Sequence, residues 1–211
     1  MADVLQKIVT KLYHGDIEAV AELVQDALDA GIAPSEVLNG ALLAGMDEVG
    51  RDFKAGDLFV PEVLIAARAM QAGMSVLRPL LADSDIASSG KYIVGTVKGD
   101  LHDIGKNLVR MMLEGGGFEV IDLGTGVEPS AFVDAVREHK PDLVGMSALL
   151  TTTMTQMKTT IEALEEAGLR DSVKIMIGGA PVTAAFAEEI SADAYATDAG
   201  SAVDKARWLM G

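Results

Sequence analysis

Apolar residues recur every three to four positions through the first third of the chain. Val4, Ile8 and Leu12 begin the series. Past Gly15, Asp16 can cap a second segment whose Val20, Leu23, Val24, Ala27 and Leu28 share one helical face. Gly31 and Pro34 punctuate its end. Val37, Leu38, Ala41, Leu42, Met46, Val49 and Phe53 mark a third helix, and a fourth begins at Pro61 and runs past Leu64, Ala67, Met70, Met74, Leu77 and Leu81. The short connections predict an antiparallel bundle over residues 1–82.

The period then changes. Asp83-Ser-Asp-Ile-Ala-Ser-Ser-Gly90 is small, polar and aperiodic, and reads as a linker over 83–90. Beyond it, apolar runs near 92–97, 118–123, 142–147, 173–178 and 193–197 alternate with helical segments near 104–115, 129–139, 153–168, 182–190 and 200–210. Repeated β-α units predict a parallel sheet with helices on both faces. The expected fold is α/β: a Rossmann-like, flavodoxin-like five-stranded parallel sheet over 91–211, preceded by a four-helix bundle.

Composition narrows the function classes. With 211 residues, 49% of them hydrophobic, the chain can bury a substantial core. No apolar run reaches the roughly 20 residues of a spanning helix, and Met-Ala-Asp-Val-Leu-Gln-Lys lacks a signal-peptide layout, so a cytoplasmic protein is expected. The absence of cysteine excludes disulfides and thiolate-held iron–sulfur clusters. Net charge is −15, divided as −8 over residues 1–90 and −7 over 91–211. An acidic surface throughout argues against nucleic acid and anionic membranes as partners, and is read first as a solubility feature.

The candidate chemistry lies in Gly95-Thr-Val-Lys-Gly-Asp100-Leu-His102-Asp-Ile-Gly105-Lys-Asn107. It follows an apolar run and precedes an amphipathic segment, so its polar residues sit where a strand hands over to a helix. Open α/β sheets place ligand sites there. A histidine, a carboxylate two residues earlier and flanking glycines would suit a ligand-bearing imidazole, a partner for its second nitrogen and a close backbone approach. A Walker phosphate loop fits poorly, because Gly99 and Gly105 are one residue too far apart and Asn107 replaces the hydroxyl. A divalent metal on Asp100, His102 and Asp103 lacks further ligands, since His14 and His139 lie in unrelated helical segments. A loop histidine held by a carboxylate remains as good a reading on the motif alone.

Asp100-Leu-His102-Asp-Ile-Gly105 resembles the D-x-H-x-x-G signature of cobalamin-binding domains. The resemblance continues through Gly105-Lys-Asn-Leu-Val109, Val120-Ile-Asp-Leu-Gly124, Val144-Gly-Met-Ser147-Ala-Leu149-Leu-Thr151, which is similar to the family's S-x-L motif, and Ile177-Gly178-Gly179-Ala180-Pro181. In the first region, Met46-x-x-Val49-Gly50-x-x-Phe53-x-x-Gly56-x-x-Phe59-x-Pro61 resembles the helical cap that precedes such domains in methionine synthase and in the corrinoid proteins of anaerobic methyltransferase systems.

The resemblance implies a cobalamin or related corrinoid, a methylcobamide, with His102 as axial cobalt ligand and Asp100 behind it. Thr153 stands where a hydroxyl residue follows the S-x-L motif and extends a proton relay to solvent. Gly99, Leu101, Asp103, Ile104 and Gly105 would flank the ligand. Ser147, Leu149, Thr151, Gly178, Gly179 and Ala199 would line the cofactor's nucleotide tail, with a ring against the glycine pair, and Phe59 would reach from the cap. Gly124 and Gly126 read as a tight turn; without a third glycine, and after the second strand, they make a poor nicotinamide fingerprint.

The implied function is a methyl carrier in anaerobic one-carbon metabolism, a non-autonomous corrinoid subunit of a methyltransferase system. It would accept a methyl group from a substrate-specific methyltransferase and present it to a second methyltransferase with a tetrahydrofolate-type or thiol acceptor; a reductive activator would restore the corrinoid. A sensory corrinoid module without methyl transfer is the alternative, though the acidic bundle offers no DNA-reading helix-turn-helix. The small subunit of an adenosylcobalamin mutase is a third, disfavoured by the cap.

Overall fold

The computed structural model describes residues 2–81 and 89–211; residues 83–88 of the expected linker lie outside the described residues. The elements divide into two compact units. The first holds α1 (Ala2–Tyr13), α2 (Ile17–Asp29), α3 (Pro34–Val37), α4 (Ala44–Ala55) and α5 (Val60–Leu81). Asp16 caps α2, its carboxylate accepting the Ala19 N–H at 3.2 Å. The Tyr13 hydroxyl donates to Asp52 at 2.8 Å and ties the end of α1 to α4. Ile8, Leu12, Val20, Val24, Leu42, Val49, Val63 and Leu77 are buried as the core. A Cβ on Gly73 of α5 would meet Leu42 at 2.8 Å, so that glycine lets the helices close.

The third helix of the sequence pattern is not uniform. Leu38–Leu43 forms a π-helical turn between α3 and α4. The apolar spacing from Val37 to Phe53 runs on without a break and carries no sign of it. Such turns are single-residue insertions into helical hydrogen bonding, and side-chain periodicity registers them weakly.

The second unit has β1 (Lys91–Thr96), β2 (Glu119–Asp122), β3 (Leu143–Ser147), β4 (Lys174–Gly178) and β5 (Ala194–Ala196), interleaved with α6 (Ile104–Gly115), α7 (Pro129–His139), α8 (Thr155–Glu166), α9 (Ala184–Glu189) and α10 (Ala199–Met210). The order is β2-β1-β3-β4-β5, and every pairing is parallel. This is the flavodoxin-like order expected from the sequence. Phe132 and Val136 of α7, with Met157, Ile161 and Leu164 of α8, pack on Ile93, Val144, Ile175 and Ile177. β1 is buried almost throughout, which is why it reads as a continuous apolar run. Among the described residues no helix is long and apolar enough to cross a membrane.

The chain leaves β1 toward β2 on one side and β3 on the other, so the carboxyl ends of β1 and β3 form the switch point where ligands settle. Register fixes what stands there. Thr96, Ser147, Gly178 and Ala196 form one row across β1, β3, β4 and β5.

Gly145 tests this packing. A Cβ there would overlap the Tyr92 hydroxyl and lie 2.6 Å from its ring, and Tyr92 is fully buried. Gly145→Ala should lose about 1–3 kcal/mol in urea unfolding, and Tyr92→Leu in the same chain should recover part of that. Wild-type stability in the single variant would show that the sheet yields.

Candidate functional site

The site begins in a turn closed by the Asp100 N–H donating to the Val97 carbonyl at 3.1 Å. Gly99 has φ +78° at its third position, where only glycine is relaxed. The turn drives the Asp100 side chain inward until none of it is exposed. Five donors meet it. Oδ1 accepts His102 Nδ1 at 2.7 Å and the His102 backbone N–H at 3.1 Å. Oδ2 accepts the Leu149 and Leu150 N–H groups at 2.7 and 3.2 Å, and the Thr153 hydroxyl at 2.7 Å. One carboxylate thus clamps the loop after β1 to the loop after β3.

Burial alone would push the Asp100 carboxyl up. The Thr153 hydroxyl, the Leu149 amide and the two His102 donors outweigh it and hold the group well below the usual carboxylate range. An ionised carboxylate only accepts, so Nδ1 must carry the hydrogen and the neutral imidazole keeps its lone pair on Nε2. The His102 side chain is half-exposed, at 51%. Thr153 is buried, and its oxygen also lies 2.9 Å from the Leu150 carbonyl; its single hydrogen serves the shorter contact to Asp100.

The loop is braced from a third side. The buried Thr96 hydroxyl donates to the His102 carbonyl at 2.9 Å. Gly126 N–H donates to the Asp100 carbonyl at 2.9 Å, and the Gly124 carbonyl accepts from Thr96 N–H at 3.0 Å. Gly124 and Gly126 have φ +84° and +65°. The turn they form is therefore a strut for the histidine loop, a role their spacing did not suggest. The Leu149 and Leu150 amides were equally absent from the sequence reading, since a backbone donor has no residue signature.

Around the imidazole the surface is apolar yet uncovered. Leu101 and Ile104 are 76% and 78% exposed, and Leu149 and Leu150 are also exposed. A Cβ on Gly105 would meet nothing within 4 Å, so the protein's own packing does not require that glycine. Gly179 is the opposite case: with φ +127°, its Cβ would run into the Ala148 carbonyl oxygen. Its missing side chain is needed by the loop itself, whatever else lies against it. Gly178 ends β4 beside Ser147, and its Cβ would lie 3.1 Å from the Ala196 carbonyl.

The remaining candidates divide. Asp103 is exposed and accepts from Asn107 Nδ2 at 3.0 Å. Thr151 is exposed in the loop after β3, and Ala199 is buried at the start of α10. Phe59 belongs to the helical unit, where it is 68% exposed between α4 and α5. Among the described residues no three His, Asp or Glu side chains could jointly hold a metal ion. The donor set offers a single free imidazole nitrogen inside an apolar, open surround. That would suit a bulky group that carries its own metal and takes one further nitrogen ligand.

Comparison with known proteins agrees in kind. A family model described as "B12 binding domain" matches residues 90–204, and a second of that description matches residues 4–78. The trimethylamine corrinoid protein 1 of Methanosarcina acetivorans is 44% identical over 210 residues, covering 99% of this chain and 97% of that one. The dimethylamine corrinoid protein of Methanosarcina barkeri is 44% identical over 209 residues, covering 99% and 98%. Among solved structures, a cobalamin-binding protein from Desulfitobacterium hafniense has a TM-score of 0.82 at 34% identity, covering 98% of each chain. The methanol:cobalamin methyltransferase complex of Methanosarcina barkeri has a TM-score of 0.88 at 30% identity, covering 99% of this chain and 80% of that one.

The depressed Asp100 value sets a pH dependence. A carboxyl whose folded value lies below its unfolded one contributes stability above the ordinary carboxylate pKa, about 4, and loses it as pH falls toward the folded value. Denaturant titrations across that acid range should show wild-type stability falling with pH, by about 1–3 kcal/mol more than in Asp100→Asn. Parallel profiles for the two proteins would place the acid sensitivity elsewhere.

Proposed function

This chain belongs to the B12-binding family of corrinoid proteins, and from that premise we propose that it is the corrinoid-bearing methyl carrier of a methyltransferase system. The observation that carries the reading is His102, fixed by Asp100 at Nδ1 and left free at Nε2 in an apolar, open setting. Relatives named for trimethylamine and for dimethylamine are each 44% identical to this chain. That equality supports a choice of methyl donor made by the methyltransferase partner. The same relatives favour a carrier over a sensory module.

A bound corrinoid would supply a cobalt able to accept and release a methyl group. The chain's own residues supply its setting. His102 Nε2 would be the nitrogen that holds the cobalt, and Asp100 orients the ring toward it by accepting the hydrogen on Nδ1. Asp100, with five donors and a depressed pKa, stays ionised and so remains an acceptor for His102 Nδ1. Thr153 holds Asp100 in place from the far side of the carboxylate.

Leu101 and Ile104 would contact the macrocycle, and the open space at Gly105 would let it approach. Ser147, Leu149, Thr151, Gly178, Gly179 and Ala199 would line the nucleotide tail along the carboxyl edge of the sheet. Residues 91–211 would be the cofactor-binding domain, and residues 1–82, with the exposed Phe59, a separate helical domain. A substrate methyltransferase, a second methyltransferase with a tetrahydrofolate-type or thiol acceptor, and a reductive activator would complete the system.

Two measurements check this. Reconstituted with cobalamin whose own base is isotopically labelled, the protein should give, in the cobalt(II) form, an electron spin resonance spectrum with nitrogen coupling from the protein. His102→Ala should abolish that coupling; its persistence would remove His102 from the axial position.

Gly105→Ala should split two properties. In the apo protein it removes helix-destabilising glycine from α6 where there is room, so stability should rise by about 0.4–1 kcal/mol. Corrinoid affinity should fall. Unchanged affinity would mean that nothing bulky approaches that helix terminus.

A further inference from the structure

Lys106 is the one buried lysine among the described residues, with 3% of it exposed, and the carrier reading gives it no task. It stands in the first turn of α6, and its ammonium reaches 16 residues along the sequence to Asp122, the last residue of β2. Nζ lies 2.6 Å from Asp122 Oδ1, also reaches Oδ2, and donates to Asn107 Oδ1 at 2.8 Å. Burial pushes the Asp122 carboxyl up, but Lys106 and the Gly124 amide bring it below its ordinary value. A surface pairing needs no burial of the lysine stem, whereas here the stem is packed and the ammonium engages both oxygens of Asp122.

Two branches from the pair lead to the histidine loop. On one side, Asn107 Nδ2 donates to Asp103, the residue after His102, and Asn107 N–H donates to the Asp103 carbonyl at 2.7 Å. On the other, Asp122 Oδ1 also accepts the Gly124 N–H at 2.9 Å, which sets the turn whose Gly126 N–H holds the Asp100 carbonyl. Asp122 is therefore common to the helix that follows the loop and the turn that braces it. Arg110, one turn further along α6, leans on the same carboxylate at 3.6 Å.

We infer that the Lys106–Asp122 pair is a positioning device that fixes His102 for axial ligation by locking the first turn of α6 to the Gly124–Gly126 turn. Lys106 contacts Asn107 and Asp122, and it acts through Asp103, Asp100 and the backbone between them. The inference rests on the reading of His102 as the axial ligand, and the experiment separates the two.

The test uses the full chain reconstituted with base-labelled cobalamin, and reads the ratio of His-ligated to His-free cobalt from the protein-derived nitrogen coupling. Lys106→Met, which keeps the stem and removes the charge, should lower that ratio about tenfold, the lower end of what losing a partner behind a metal ligand costs. Asp122→Asn should act in the same direction, and the double variant should fall no further than Lys106→Met alone, because one interaction is removed twice. Ile161→Val, a core change in α8 far along the chain, should lower stability and leave the ratio alone.

If Lys106→Met does not fold, as judged by circular dichroism, Asp122→Asn carries the test. An unchanged ratio in a folded variant, or an equal fall in Ile161→Val, overturns the inference while His102→Ala still confirms the axial ligand. No protein nitrogen coupling in the wild type overturns both.

Discussion

Burying a carboxylate is costly unless hydrogen bonds replace the water it leaves, and Asp100 sits fully buried at the place where the strand order reverses. Its compensation comes from both sides of that reversal. Two donors belong to His102, after β1, and three to Leu149, Leu150 and Thr153, after β3. Neither loop is regular structure. The need to satisfy one charge makes them a single object, and the imidazole is oriented as a by-product. Parallel register contributes the rest, because it sets Thr96 beside Ser147 and so brings the two loops within reach of one side chain.

The same site separates two uses of glycine. Gly179, Gly124 and Gly126 serve the protein itself: all have positive φ, and a side chain on Gly179 would strike the Ala148 backbone. Gly105 serves nothing internal. It lies in the first turn of α6 with open space above it, next to two large apolar side chains left in solvent. A folded chain that leaves Leu101 and Ile104 uncovered beside an unnecessary glycine has a surface suited to something absent from the polypeptide. That is the physical content behind the family membership.

Much of this was legible in the sequence, for identifiable reasons. Strands buried on both faces, such as Tyr92-Ile93-Val94, read as apolar runs, and the β-α alternation then dictates a parallel sheet. Asp16 and Gly31 announced the ends of α2 by cap chemistry that is local. The D-x-H spacing proposed the Asp100–His102 pair because two residues suffice to make it. What escaped depended on separation or on the backbone. Lys106 in an amphipathic helix looks like a solvated cation until the register of β2 places Asp122 beneath it. Thr153 required the loop after β3 to fold back, and only resemblance had singled it out. The π-helical turn at Leu38–Leu43 leaves the apolar spacing intact, so no periodicity argument could find it.

The central claim is that Asp100 is ionised and fixes the His102 tautomer before any ligand arrives. Long-range proton–nitrogen correlation spectra of the ligand-free protein, with His102 assigned through His102→Gln, measure that directly. The account predicts, in the neutral imidazole, a hydrogen on Nδ1 and an unprotonated Nε2, reverting toward the ordinary solution preference when Asp100 is replaced by Asn. A neutral His102 carrying its hydrogen on Nε2 in the wild-type protein would contradict it.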